Sequence, residues 1–360
     1  MSILFQDALF EVRGGIGLIT LNRPKALNAL TLEMIRHIHP KLDQWAVDPG
    51  VKVVVIRGAG DRAFCAGGDI RAIYDAGLAW KRGEGDASAA HDFFRGEYRL
   101  NRRIKTFPKP YVALLDGIFM GGGVGLSVHG SHRVVTPKSL FAMPETGIGL
   151  FPDVGGTWFL PRCPGRTGTW MGLTGARLGP ADLLWTGLGT HMAASESLDV
   201  IVDALAAADY GTDGHAAVDA VLEAHKAEVG EPTLPALQPA IDRCFAADSV
   251  EEILAALEAE GSEWALAQRD TLLKMSPTSL KVALAQIRQG EGLSFDDALR
   301  LEFRMTHAVI AGNDLFEGVR AVIVDKDRNP KWNPATLAAV GRAEVDRHFR
   351  HLGADELHFD

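Results

Sequence analysis

The chain has 360 residues, of which 47% are hydrophobic and 23% charged, a composition typical of a globular protein with one large domain or two. It carries 37 Lys and Arg against 46 Asp and Glu, a net charge of −9. This balance disfavours nucleic acid as the main partner, because phosphate binding needs a basic surface. Cys65, Cys163 and Cys244 are widely spaced, so we expect free thiols and neither a disulfide framework nor a zinc site.

The beginning of the sequence predicts no targeting segment. Met1 is followed within a few residues by the β-type run Ile16–Leu21. The basic and apolar regions of a secretory signal are missing, and so is an Arg- and Ser-rich presequence. No apolar run reaches the ~18 residues that a membrane span needs. We therefore expect a cytoplasmic protein without a membrane partner.

The first half of the chain alternates short strands, Gly-rich turns and helical stretches. Residues 51–56 are rich in valine, which predicts a buried strand, and a helix is predicted over 71–76. Tyr111–Leu115 is a second run of this kind, and two shorter strands are predicted at 133–136 and Leu140–Ala142. This alternation is typical of an α/β protein.

The second half of the chain is predicted to be helical. After about residue 165 the β-branched runs thin out, and amphipathic patterns such as 250–257 and 280–287 dominate. The sequence shows no repeat of fixed period and no long Gly/Ser/Pro-rich linker. We therefore divide the chain into a core over 1–195 and a helical region over 196–360 that packs on it.

Residues 63–70 form the first of three strand-to-loop junctions that suit chemistry. Ala66, Gly67 and Gly68 allow the backbone to approach a ligand closely, because little or no side chain is in the way. A helix that begins near Asp69 leaves its first N–H groups free to point at an oxygen atom. Taken alone, a Gly-Gly pair before a helix is also consistent with a plain turn.

The second junction, residues 116–126, is again a strand that ends in a Gly-rich loop. It does not fit the GxGxxG pattern, because Leu126 stands where the third glycine would follow Gly121 and Gly123, and it lacks the Gly-Lys-Ser/Thr of a P-loop. What it offers is a second backbone N–H at the end of a strand. Two preorganised N–H donors are what the oxyanion or enolate of thioester chemistry requires.

The third junction, residues 140–156, contains two carboxylates in an apolar, Gly- and Pro-rich stretch. Glu145 and Asp153 have no other charged residue near them between Ser139 and Leu160. Apolar surroundings raise the pKa of a carboxylic acid and make it useful as an acid or a base. A pair of solvated loop carboxylates is the alternative interpretation.

These motifs resemble the enoyl-CoA hydratase/isomerase (crotonase) superfamily. The resemblance is carried by LNRPKALNAL at 21–30, AGGDI at 66–70 and the triple glycine at 121–123. A closer resemblance is to the 3-hydroxyisobutyryl-CoA hydrolases of valine degradation. The segments that carry it are MGGGVGLS at 120–127, FAMPET at 141–146, GLFPDVGG at 149–156 and FEGVRA at 316–321. The likeness covers nearly the whole chain and is weakest over 196–265.

The resemblance implies an α/β crotonase-type spiral of repeated ββα units, followed by a helical C-terminal region that caps the site. It implies hydrolysis of the thioester of 3-hydroxyisobutyryl-CoA to 3-hydroxyisobutyrate and CoA. No cofactor or metal is implied, because CoA is part of the substrate and the product. Members of the superfamily commonly form trimers or dimers of trimers, so a homo-oligomer is consistent with the resemblance.

Carried over residue by residue, the resemblance implies that Gly68 and Gly122 supply the oxyanion hole and that Glu145 occupies the acid/base position. Gly125 stands where hydratases carry a second glutamate, which disfavours hydration, and Asp153 supplies a different second carboxylate. The implied substrate contacts are Glu97, Asp69 and Ile70. The implied CoA contacts are Arg23, Lys25, Ala26, Leu27 and Ala66. Without the resemblance, the charged members of these two sets could equally be ordinary surface residues.

The reaction mechanism and two rival functions stay open. Glu145 can attack the thioester carbonyl to form a mixed anhydride, or it can activate water as a general base. A hydratase or isomerase on the same fold is the nearer rival. A non-catalytic CoA-ester or RNA-binding module is the other, and the charge of −9 together with the pair Glu145 and Asp153 disfavours it.

Overall fold

The computed structural model describes residues 6–84 and 86–359, which form two compact units. The first unit contains the described residues of Met1–Gly68, Arg99–Phe141 and Leu178–Thr233. The second contains those of Asp69–Tyr98, Ala142–Arg177 and Leu234–Asp360. Each unit thus draws on three stretches of the chain, and neither ends at the predicted boundary of 195 and 196. A capping role for the later helices stays a prediction.

Nine β-strands occur in the residues that the structure describes. They are β1 Ala8–Arg13, β2 Ile16–Leu21, β3 Val53–Gly58, β4 Ala63–Cys65, β5 Tyr111–Leu115, β6 Ile118–Met120, β7 His132–Val135, β8 Leu140–Ala142 and β9 His191–Met192. One sheet has the order β1-β2-β3-β5-β7-β9, and the second has the order β4-β6-β8. In the larger sheet β1 pairs antiparallel with β2, and the remaining pairs are parallel. The four predicted strands are confirmed, two of them with their ends shifted.

The helices of the first half separate these strands, and those of the second half follow them. In the described part of the chain they are α1 Leu32–Val47, α2 Ile70–Lys81, α3 Ser88–Lys105, α4 Gly122–Gly125, α5 Gly156–Phe159, α6 Thr167–Thr174, α7 Pro180–Trp185, α8 Leu198–Ala207, α9 Gly214–Ala224, α10 Leu234–Cys244, α11 Val250–Glu260, α12 Glu263–Leu272, α13 Pro277–Gly290, α14 Phe295–Ala311, α15 Asp314–Val319 and α16 Arg342–Asp346. The predicted helical second half is therefore confirmed.

The core of the first unit lies on the larger sheet. Strands β3 and β5 read as nearly continuous apolar runs because both faces of a parallel sheet are covered. Helices α8 and α9 cover one face with the buried side chains Ile201, Val202, Leu205, Val218 and Leu222. On the other side α1 places Trp45 against β2 so closely that a Cβ atom at Gly17 would lie 2.6 Å from the indole ring.

In the second unit, helices α13 and α14 pack against the segment that follows β8. Both helices bury an extended apolar face. At the end of α13, a Cβ atom on Gly290 would lie 1.9 Å from the carbonyl oxygen of Thr157, so only glycine permits this approach of two backbones. The third predicted junction is therefore backed by helices that lie more than 100 residues later in the chain.

Candidate active site

The first two predicted junctions lie side by side in the first unit. Strands β4 and β6 are parallel neighbours, with Cys65 opposite Phe119, so their carboxyl ends emerge at the same edge of the small sheet. A Cβ atom on Gly123 would lie 2.0 Å from the carbonyl oxygen of Cys65. Gly123 is thus required by the close contact of the second junction with the first.

The predicted oxyanion donors are the backbone N–H groups of Gly68 and Gly122. Gly122 is the first residue of α4, a position that has no intrahelical acceptor. Gly68 forms a parallel bridge with Leu30, but it is Gly67 whose carbonyl oxygen accepts from Leu30, at 2.9 Å. Among the described residues no group accepts a hydrogen bond from either N–H.

The predicted CoA strip adjoins the first junction. The carbonyl oxygen of Leu27 accepts a hydrogen bond from the N–H of Ala66 at 3.0 Å. Asn28, which the sequence analysis did not identify, is fully buried and donates from Nδ2 to the carbonyl oxygens of Ala59 and Ala63, both at 2.9 Å. Its φ of 57° is in the left-handed region, which asparagine tolerates better than most residues. Asn28 thereby anchors the strip.

A surface groove of about 230 Å³ runs along this strip and is lined in part by Lys25, Leu27 and Arg62. Lys25 and Arg62 are exposed and bring two cations to the groove. Arg23 lies outside the groove lining, and its guanidinium donates to the carbonyl oxygen of Ala29 at 2.6 Å. Ala26 also lies outside the groove lining. Of the two predicted cations, the structure therefore places only Lys25 in the groove.

Glu145 and Asp153 are both buried in the second unit. Glu145 begins the 3-10 turn Glu145–Ile148 directly after β8, and each residue is 4% exposed, which excludes solvated loop carboxylates. Burial raises the pKa of Glu145 well above its usual range, and the charge of Asp153 raises it further. Burial also raises the pKa of Asp153, to about 7.

Glu97 lies with these carboxyl groups and not on a solvated helix face. It belongs to α3 and is 2% exposed. Burial raises its pKa, and the charges of Asp153, Glu302 and Glu145 add to the effect. Within the described residues, Oε1 of Glu97 and Oε2 of Glu145 are buried without a hydrogen-bond partner. Buried polar atoms normally form hydrogen bonds, so these two oxygens are candidates to bind a ligand or water.

Two further side chains at this site were not predicted. The hydroxyl of Tyr98 donates to Oδ2 of Asp153 at 3.0 Å, and this bond lowers the pKa of Asp153 against the effect of burial. Glu302 of α14 is fully buried, and burial raises its pKa to about 8. A sequence clue existed for Glu302, because Ala298 and Thr306, four residues away on either side, lie on the buried face of the same helix.

Asp69 and Ile70 lie at the start of α2, where Asp69 is the N-cap residue and Ile70 the first helical residue. The predicted helix start is therefore confirmed, and both side chains are half-buried. Their contact with substrate stays a prediction. Gly125 lies buried within α4.

Three other features of the described residues bear on function. No group of three or more His, Cys, Asp or Glu side chains is arranged there to hold a metal ion. None of the helices in this part of the chain is both long and apolar enough to cross a membrane. Cys65, Cys163 and Cys244 are free and buried thiols.

The fold and the arrangement of carboxylates agree with the result of sequence comparison. The profile of the family described as enoyl-CoA hydratase/isomerase matches residues 16–349. The chain belongs to this family, which confirms the predicted family and the predicted fold class.

Individual relatives extend this result. The chain is 50% identical over 354 residues to the mitochondrial 3-hydroxyisobutyryl-CoA hydrolase of Danio rerio, with 98% of the chain and 91% of the relative covered. It is 48% identical over 358 residues to the protein of the same name from Rattus norvegicus, with the same coverage. A crystal structure of a carnitinyl-CoA dehydratase from Mycobacterium thermoresistibile is 42% identical, with a TM-score of 0.91 over 99% of both chains.

The predicted cytoplasmic location is contradicted by these relatives. Both hydrolases are named as mitochondrial. The prediction relied on the first residues of the sequence and on free thiols. Free thiols indicate only a reducing environment, so they do not separate one reducing compartment from another.

Proposed function

We propose that this protein hydrolyses the thioester of 3-hydroxyisobutyryl-CoA and releases 3-hydroxyisobutyrate and CoA, a step of valine degradation. The observation that carries the proposal is the buried pair Glu145 and Asp153, with Gly125 at the position where a hydratase would have its second glutamate. The names of the two curated relatives support the same reaction.

The CoA part of the substrate is assigned to the groove beside the strip 24–28. Lys25 and Arg62 line this groove and supply positive charge for phosphate groups. The backbone near Leu27 and Ala66 is the assigned contact for the adenine end. Arg23 receives a structural role instead, because its guanidinium is already engaged with Ala29.

The oxyanion that develops on the thioester carbonyl is assigned to the N–H groups of Gly68 and Gly122. Preorganised donors of this kind contribute about 3–4 kcal/mol each to stabilising the transition state. They can do so because no protein acceptor competes for these two N–H groups in the described residues.

Glu145 acts on the carbonyl carbon, either directly or through water. In the first route its carboxylate forms a mixed anhydride and CoA leaves as a thiolate that takes up a proton; water then hydrolyses the anhydride. In the second route Glu145 takes a proton from water, and the hydroxide formed attacks the carbonyl carbon. Asp153, with its pKa raised to about 7 by burial, suits proton transfer near neutral pH. Glu97 and Asp153 are the assigned partners of the substrate's 3-hydroxyl group.

The deciding experiment measures free thiol released from 3-hydroxyisobutyryl-CoA and from crotonyl-CoA, and follows loss of the crotonyl C=C separately. Rapid thiol release from the first substrate without C=C loss from the second is the expected result. The second candidate is a hydratase or dehydratase, which the name of the solved Mycobacterium thermoresistibile relative favours. Hydration of crotonyl-CoA without thiol release would establish that candidate and contradict hydrolysis.

A non-catalytic RNA-binding role is disfavoured by the charge of −9 and by the buried carboxyl cluster. A filter-binding assay at physiological salt tests it, and we expect no retention of RNA. Assembly into a trimer or hexamer stays a prediction, which the molar mass in solution will decide.

A further inference from the structure

Two buried polar side chains hold the turn that carries Asp153. Gln286 of α13 and Glu302 of α14 are both 0% exposed. Burial of an amide or a carboxylate costs free energy unless hydrogen bonds offset it. Their partners therefore show what the two side chains do in the fold.

Glu302 attaches to the backbone on the C-terminal side of Asp153. Its Oε2 accepts from the N–H of Gly155 at 2.8 Å, and its Oε1 accepts from the N–H of Thr157 at 2.9 Å. Each oxygen holds one amide, so the carboxylate fixes the backbone at two points. Gly155 has a φ of 89°, which sets the sharp change of chain direction that these bonds stabilise.

Gln286 attaches to the same turn on both sides of Asp153. Its Nε2 donates to the carbonyl oxygen of Pro152 at 2.6 Å and to Oγ1 of Thr157 at 2.7 Å. Thr157 is fully buried and is hydrogen-bonded to both side chains. Together the two side chains hold the backbone immediately before Asp153 and the backbone two and four residues after it.

We propose that Glu302 and Gln286 are positioning residues for hydrolysis, which fix the 152–157 turn so that the carboxyl group of Asp153 keeps one direction. The Tyr98 hydroxyl, 3.0 Å from Oδ2 of Asp153, then meets a carboxyl group that is already aligned. This inference rests on the proposed function, because it takes Asp153 as an acid–base group. A displacement of about 1 Å at such a group can reduce the rate by about 100-fold.

Glu302 also changes the electrostatics of the reacting groups. Its charge raises the pKa of Glu145 and of Glu97. Removal of the charge therefore lowers the pKa of Glu145, and the pH dependence of the reaction moves to lower pH. A residue that only supported the fold would leave this pH dependence unchanged.

The main test compares Glu302→Gln with Glu356→Gln. Glu356 is also a buried glutamate of the second unit, 4% exposed, but its carboxylate accepts from Arg304 at 2.9 Å and not from the 152–157 turn. For Glu302→Gln we expect kcat to fall roughly 10- to 100-fold with KM changed less than about 3-fold, because substrate contacts are kept. The acidic limb of its pH–rate profile should move to lower pH. Glu356→Gln should keep the wild-type kcat and pH profile.

Hydrogen exchange gives a readout that needs no substrate. In the wild type the N–H groups of Gly155 and Thr157 are bonded to a buried carboxylate, so they should exchange slowly. In Glu302→Gln the amide nitrogen cannot accept the second N–H, and the peptide covering 152–157 should exchange faster. Glu356→Gln should leave that peptide protected.

Variants of Thr157 give a second test that does not depend on the folding of a Glu302 variant. Thr157→Val keeps the N–H that Glu302 accepts but removes the hydroxyl, which accepts from Gln286 and also bonds to Glu302. We expect kcat to fall about 3- to 10-fold, since at least one hydrogen bond of about 1 kcal/mol is lost from the turn. Thr157→Ser restores the hydroxyl and should recover most of this loss.

The outcomes separate this inference from the proposed function. A wild-type protein that releases no thiol contradicts the proposed function, and the exchange measurement then still decides whether the turn is held. An active wild type together with a fully active Glu302→Gln of unchanged pH profile overturns the positioning role. The same conclusion follows if Glu302→Gln and Glu356→Gln lower the melting temperature alike and neither changes kcat.

Discussion

Four of the buried carboxyl groups of the second unit, those of Glu97, Glu145, Asp153 and Glu302, differ in their hydrogen-bond partners. Asp153 accepts from Tyr98, and Glu302 accepts two backbone N–H groups. Glu97 and Glu145 each keep one buried oxygen without a partner in the described residues. A carboxylate whose two oxygens both accept hydrogen bonds stabilises the fold. A buried oxygen without a partner costs free energy, which favours the binding of substrate or water. The same residue type therefore serves two purposes within one cluster.

Replacement of Glu145 by glutamine should abolish turnover and leave CoA-ester binding nearly intact. The amide is neither a nucleophile nor a base at neutral pH, so we expect kcat to fall by about 1,000-fold or more. Thiol release measures turnover, and calorimetry with the CoA ester measures binding. Glu291→Gln, at an exposed position that pairs with Arg166, is the control. Substantial residual activity in Glu145→Gln rules out the role assigned to Glu145.

Replacement of Tyr98 by phenylalanine should raise the pKa of Asp153. The hydroxyl donates to the carboxylate and so favours its ionised form; without it the pKa rises above the present value of about 7. The limb of the pH–rate profile that follows Asp153 should move to higher pH by about 0.5–1 unit. Tyr111→Phe removes an equally buried hydroxyl that donates to the carbonyl oxygen of Leu126 instead, and its profile should not move. A Tyr98→Phe profile identical to the wild type means that Asp153 does not control the rate.

At the scale of elements, helix α15 lies directly against the turn that carries Glu145. A Cβ atom on Gly318 would lie 2.4 Å from the carbonyl carbon and oxygen of Ile148, and one on Gly149 would lie 2.2 Å from the backbone of Asp314. Two glycines thus let two backbones touch. The glycine of the FEGVRA motif at 316–321 is therefore needed for the packing of α15 against this turn.

Gly318→Ala should force α15 and the Glu145 turn apart. We expect a loss of about 1–3 kcal/mol in the free energy of unfolding and a fall in kcat, because Glu145 moves with its turn. Gly292→Ala is the matched control, since a Cβ atom there would meet nothing within 4 Å. Urea unfolding and thiol release measure the two effects. A Gly318→Ala protein of wild-type stability and activity shows that the turn tolerates the displacement.

Two variants in and beside the strip 24–28, Lys25→Ala and Arg23→Ala, test which cation binds CoA. Lys25→Ala should raise KM for the CoA ester by roughly 5- to 10-fold with little change in kcat, because it removes binding that substrate and transition state share. Arg23→Ala should lower stability more than it raises KM, since it removes the hydrogen bond to Ala29. Steady-state kinetics and urea unfolding on both variants separate the two roles. If Arg23→Ala raises KM and Lys25→Ala lowers stability instead, Arg23 is the cation that binds CoA.

The strands and most loop residues of the site could be predicted because their signals are local. A run of valines predicts β3, and glycines followed by a helical pattern mark the loops at Gly68 and Gly122. The same holds for Glu145 and Asp153, which stand alone in an apolar stretch. Glu302 could not be predicted in the same way. Its partners lie 145 and 147 residues earlier in the chain, and only tertiary packing brings them together.

At the scale of the whole molecule, burial shifts the titration of acids and of histidines in opposite directions. Burial raises the pKa values of Glu97, Glu145, Asp153 and Glu302. It lowers those of His39, His91, His132, His191, His307 and His348. Below pH 6.5 the histidines bind more protons in the unfolded chain, which makes stability rise with pH. The acids bind more protons in the folded chain, which makes stability fall with pH.

Above pH 7 the unfolded histidines keep only a minority of their protons, so the acids dominate the change in stability from about pH 7 upward. Each acid with a raised pKa lowers the free energy of unfolding by up to ~1.4 kcal/mol per pH unit until the pH passes its pKa in the folded state. For Asp153 this decrease ends near pH 7 and for Glu302 near pH 8, the values to which burial raises their pKa.

Urea unfolding at intervals between pH 7 and 8 should therefore show a free energy of unfolding that falls as pH rises. Glu302→Gln removes one of the titrating groups, so its slope should be shallower than that of the wild type, whereas Glu356→Gln should keep the wild-type slope. A wild-type protein that gains stability from pH 7 to 8 would mean that these carboxyl groups are already ionised in the folded state. In that case the charge that Glu145 needs for attack on the thioester would be present throughout the range, and the acidic limb of the pH–rate profile would lie below pH 7.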